Sequence, residues 1–182
     1  LLTEHLGGYT PFSCELTGLV TGADDVIAVA VDSRELDDIP PFGYVIDYLT
    51  FGGIYREVWL EETNEIFMQN AHVRMIQSDG LWTVDTDVYL ENARGESGEA
   101  ALRLTLLDSD GPSWMERFAC TLTGERSQRV TVSFTARDMR LWDLGMPNLY
   151  EMMLELLKDG AELDEPVRRI GFREAKFTPE GF

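Results

Sequence analysis

From Leu81 onward the sequence alternates apolar and polar residues in segments parted by turns, and that rhythm points to a sheet. In LWTVDTDVYLEN, the set Trp82, Val84, Thr86, Val88 and Leu90 falls on one side, and Thr83, Asp85, Asp87, Tyr89 and Glu91 on the other. A period of two marks a strand with one face on a core and one in water. NARGESGE then reads as a turn, AALRLTLLDS as a strand through Leu102, Leu104 and Leu106, and DSDGPS as a second turn. RVTVSFTA is a further strand through Val130, Val132 and Phe134. Strands spaced by turn signals every 8–12 residues or about that describe a β-sandwich. Upstream, Val26 to Val31 (VIAVAV) is a short continuous apolar run, suited to a strand buried on both faces. Gly and Asp turn chemistry precedes it, and the Pro-containing loop DSRELDDIPPFG follows.

One segment fits two periods. NLYEMMLELLKDG places Leu149, Met152, Met153, Leu156 and Leu157 at helical spacing, is rich in helix formers, and has Gly160 as a stop. Tyr150, Met152, Leu154 and Leu156 also alternate with Glu151 and Glu155 as in a strand. Local pattern leaves both open. The short polar stretch EETNE, Glu61 to Glu65, separates two strand-rich blocks and marks a domain boundary, giving domains 1–62 and 63–182.

Composition narrows the partners. The 182 residues are 44% hydrophobic and 26% charged, which is ordinary globular composition. The formal net charge of −18 disfavours nucleic acid, which needs clustered Lys and Arg, and anionic membranes repel such a surface. A neutral or cationic ligand suits it better. No apolar run approaches the roughly 18 residues of a spanning helix. Cys14 and Cys120 sit in alternating apolar stretches and read as small core residues rather than a disulfide framework. His5 and His72 stand apart from each other and from both cysteines, so no metal-ligand spacing is present. The chain opens at Leu1 with no signal-like segment and stops after TPEGF, which reads as a piece of a longer protein.

Two groups of motifs carry a resemblance. HLGGYTPFSCELTGLV, VIAVAVDSR and GGIYREVWLE resemble the sugar-binding domain of family 2 glycoside hydrolases, which include β-galactosidases, β-glucuronidases and β-mannosidases. Trp142, Pro147, Leu149, Tyr150, Asp159, Gly160, Gly171, Phe172 and Arg173 match, in order, the end of the immunoglobulin-like sandwich that follows it in that family. The resemblance implies the C-terminal half of a jelly roll over 1–62, about three or four of its strands. It implies an immunoglobulin-like sandwich over 63–182 with an exit towards a (β/α)₈ barrel. It also makes the Leu-Tyr segment a strand.

The implied chemistry is retaining hydrolysis of a β-glycoside by two carboxyls about 5–5.5 Å apart. In the family both are glutamates at the ends of barrel strands, so none of the 33 acids here is assigned a catalytic role. What the resemblance places here is Asp47, six residues before Gly53 of GIYRE, as a contact to galactosyl hydroxyls beside a sodium ion. A carboxylate accepts charge-assisted hydrogen bonds from two hydroxyls at once. The alternative is that Asp47 is a turn residue or a partner of Arg56. No cofactor is expected in this part, with sodium or magnesium belonging to the parent enzyme, whose partner is its carbohydrate substrate. Trp59 reads either as a sugar platform or, by its strand position, as packing in a core or between domains; Arg56 reads as held by a buried carboxylate. A stand-alone carbohydrate-binding or interaction sandwich is the competing function. Half a jelly roll leaves open strand edges, so Leu1 to Leu60 is expected to pair with another copy, as in a strand-exchanged dimer, or to stay poorly ordered; Glu65 to Phe177 should fold alone.

Overall fold

A computed structural model describes residues 1–22, 24–34, 36, 38–39, 51–175, 177–179 and 181. The chain divides into two units, 1–60 and 61–182.

The second unit is an antiparallel β-sandwich, with no helix among its described residues. Its strands in chain order are β1 (Ile66–Ser78), β2 (Leu81–Asn92), β3 (Ser97–Asp108), β4 (Gly111–Thr123), β5 (Ser127–Arg137), β6 (Tyr150–Lys158), β7 (Ala161–Asp164) and β8 (Val167–Ile170). One sheet has the order β1-β2-β5. The other runs β4-β3-β6, with both β7 and β8 on the far side of β6.

The alternation of β2 is realised residue by residue. Trp82, Val84, Thr86, Val88 and Leu90 are buried, whereas Thr83, Asp85 and Tyr89 are half-buried on the outer face. From the opposite sheet, Leu102, Leu104, Leu106, Met152, Leu154 and Leu156 close the core without residual exposure. Each fully buried leucine contributes about 1.5–3 kcal/mol relative to leaving it in water. The ambiguous segment is strand β6. It pairs with β3 along Glu151–Leu157 and with β7 and β8 on its other side, so the sheet outweighs its helix-forming composition. Two hairpins turn on Asp-Gly pairs with both residues at positive φ: Asp79 and Gly80 at 50° and 77°, and Asp159 and Gly160 at 52° and 80°. That is the two-residue turn whose twist matches antiparallel strands.

In the first unit the described residues form no strand. The run Val26–Val31 and the segment IYREVWLE, both expected as strands, lack ladders and expose their apolar side chains; Val26 is 90% exposed. A strand needs a neighbour to take its backbone hydrogen bonds, and none of the described residues of 1–60 supplies one. Local polar contacts order short turns instead. The Asp25 carboxylate accepts from the Thr21 and Gly22 amides at 2.7 and 3.0 Å, and Arg34 holds Asp32 down to about 2. Neither cysteine is fully buried. Cys120 is half-buried at the margin of the sandwich core and Cys14 is half-exposed in the first unit; both thiols are free.

Candidate functional site

Asp47, the residue expected to meet sugar, lies outside the described residues. The motif after it is described. Gly53 adopts φ 87°, and a Cβ on Gly52 would fall 2.5 Å from the Ser33 hydroxyl. Gly53 is therefore favoured by its left-handed backbone, and a side chain at Gly52 would have to displace the Ser33 side chain. Arg56 is exposed rather than held by a buried carboxylate, and Trp59 is 71% exposed rather than packed.

The second set of motif residues converges on one corner of the sandwich. The Trp142 amide donates to the Phe172 carbonyl at 2.8 Å, and the Arg173 guanidinium lies 5.2 Å from the centre of the Trp142 ring. Such a cation over an indole face is attracted by the ring quadrupole. A Cβ on Gly171 would sit 3.1 Å from the Trp142 Cβ, so a larger residue there would push the Trp142 side chain back by a few tenths of an ångström. Phe172 is fully buried, edge-on to both Trp82 and Tyr150. The Tyr150 hydroxyl accepts from the Arg140 amide at 2.9 Å, and the Asn148 amide group donates to the Leu141 carbonyl at 2.8 Å. Asp143 and Met146 close a turn through reciprocal backbone bonds. The motif thus fixes a loop, and that loop presents apolar side chains to solvent: Leu144 is 88% exposed and Met146 67%.

Elsewhere several acids of the sandwich are ion-pair partners. Arg103 on β3 grips Glu155 on β6 through two nitrogens and holds its carboxyl below the usual range, against the opposing effect of burial. Arg74 and then Thr131 do the same for Asp87 on β2, each at 2.6 Å. Glu162 on β7 is pushed up, first by lost hydration and then by Glu165. Among the described residues no group of His, Cys, Asp and Glu is placed to hold a metal ion. An open depression of about 580 Å³ lies over Ala101, Ala119 and Leu157 with Glu99, Arg117 and Asp159 around it. No aromatic side chain lines it, so it lacks the platform on which sugar rings usually stack.

The described residues of the second unit thus form an all-β sandwich whose corner motif runs from Trp142 to Arg173. The sequence model of glycosyl hydrolases family 2 matches residues 66–173, and the chain belongs to that family. It is 36% identical to a β-galactosidase of Thermoanaerobacterium thermosulfurigenes across 98% of its own length and 25% of that protein. A β-galactosidase of Rhizobium meliloti is 34% identical over 96% of this chain, and a β-glucuronidase of Bacteroides fragilis 28% identical over 97%. The chain spans about a quarter of these relatives. Among solved structures, a Bacteroides uniformis β-glucuronidase superposes with a TM-score of 0.70 at 23% identity, over 81% of this chain and 19% of that one.

Proposed function

We propose that this chain is a non-catalytic region of a retaining β-glycoside hydrolase, with β-galactosides as its substrates. The observation that carries the reading is the 36% identity to a β-galactosidase along nearly the whole chain. The sandwich braces the catalytic barrel, and the exposed Leu144 and Met146 on their fixed loop are the apolar surface suited to that contact. Asp47 lends a carboxylate to the galactosyl hydroxyls of the parent enzyme, beside a sodium ion.

The test is hydrolysis of chromogenic β-galactoside, β-glucuronide and β-mannoside by the full-length parent and by this chain in parallel. The parent is expected to prefer the β-galactoside and this chain to be inert. Turnover by this chain alone would place catalytic carboxyls among its own acids and end the reading. In the parent, Asp47→Ala is expected to lower kcat/KM on the β-galactoside about 10- to 100-fold, the loss of hydrogen bonds to a charged group. An unchanged kcat/KM assigns Asp47 to its turn.

A further inference from the structure

Each sheet of the sandwich has two edges, and three of these four edges are interrupted. On β1 the register slips between Met68 and Asn70. On β4 it slips beside Pro112, and Glu116 pairs with Leu104, which puts a charge on the core-facing side of that edge. Beyond β6 the edge is split into β7 and β8, four residues each, by Glu165 and Pro166. Bulges, prolines, short strands and inward charges are the devices that stop a sheet edge from recruiting another strand. The edge formed by β5 has no bulge, proline or inward charge; its only charged side chains are the outward Arg129 and Arg137. Its residues 127–137 pair with β2 in unbroken register from Glu91↔Ser127 to Leu81↔Arg137, and no strand among the described residues pairs with the other side.

We propose that β5 pairs antiparallel with β5 of a second copy about a two-fold axis at Val132, joining the two three-stranded sheets. The sequence of β5 is self-complementary in that register. On the core side Val130 meets Phe134 of the second copy and Val132 meets itself; on the outer side Thr131 meets Ser133 and Arg129 meets Thr135. No two like charges stand directly opposite, an arrangement that would oppose pairing. Arg137 falls opposite Ser127 of the other copy, and Ser127 lies beside Glu91 on β2 and donates its hydroxyl to it. Each Arg137 is then in line with the other copy's Glu91, twice by symmetry. The charge argument favours this edge in particular: on a chain of net charge −18, β5 carries two arginines and no carboxylate. This assembly stands independently of the activity proposed above.

Sedimentation of the 182-residue chain over a range of concentrations tests it, together with amide exchange at a dilute and a concentrated limit. The expected result is a monomer–dimer equilibrium in which β5 amides gain protection with concentration while those of β1 and β4 do not. Arg137→Glu is expected to weaken the dimer about tenfold, and adding Glu91→Arg to that variant is expected to restore it. A chain that stays monomeric up to its solubility limit overturns the proposal. So does a dimer insensitive to Arg137→Glu whose β5 amides exchange equally at both concentrations.

Discussion

Val26–Val31 and β2 both read as strands in the sequence, one as a continuous apolar run and one by alternation, and they reach opposite ends. Val84 and Val88 are fully buried, whereas Val26 and Ile27 are 90% and 65% exposed. The difference lies in the neighbours. β2 is flanked on both sides by strands, β1 and β5, and faced by a second sheet; the described residues of 1–60 contain no second strand to pair with. Hydrophobic periodicity specifies which face of a strand turns inward, but the sheet itself is made by long-range partners. Charge divides the same way. Arg34 and Arg56 are the only Lys or Arg residues before residue 61; Asp25 there is held by backbone amides and the Thr21 hydroxyl, while Glu155 and Asp87 have arginines.

The largest expected effect separates the two regions directly. Leu104→Ala, at the centre of β3 with no exposure, should cost about 3 kcal/mol by denaturant unfolding. Val29→Ala, 55% exposed, should change stability by less than about 0.5 kcal/mol. Equal losses would mean that 1–60 has a core of its own. Next comes Glu155→Gln, which should cost about 2 kcal/mol at neutral pH through the charged bonds to Arg103. Because the folded Glu155 is held below its ordinary 4.5, its contribution is complete above that value and is lost as pH falls through the lowered one. Wild type and variant should therefore converge in acid; a constant gap across the titration would sever the effect from ionisation. The smallest effect is a gain. The Thr86 hydroxyl is buried with no hydrogen-bond partner among the described residues, so Thr86→Val should raise stability by about 1 kcal/mol, read as a higher unfolding midpoint. A loss would show that the hydroxyl does have a partner.

Strands with strict alternation were legible from sequence: β2 spans the same residues in the pattern and in the fold, and β3 and β5 are centred where their leucines and valines repeat. β1 was hidden because its bulge between Met68 and Asn70 shifts the phase of the apolar positions. β4 was hidden because Glu116 interrupts its core-facing side, and β7 and β8 are too short to show a period. β6 needed the family resemblance, since Met, Leu and Glu serve a helix equally well. At the motif corner the residues were readable but their work was not. That Gly171 makes room for Trp142, and that Arg173 covers the indole, follows only from segments about thirty residues apart meeting in space.

Trp59 and Trp82 place one strongly contrasting indole in each region, 71% and 5% exposed. Trp59 is the one tryptophan of residues 1–60, whereas Trp82 shares the sandwich with the half-buried Trp114 and Trp142. Light emitted from Trp82, shielded in the sandwich, is shifted to the blue and escapes collision with dissolved iodide, while emission from Trp59 is red-shifted and readily quenched. The quenchable, red-shifted part of the emission can therefore report, without a label, when the surface around Trp59 is covered.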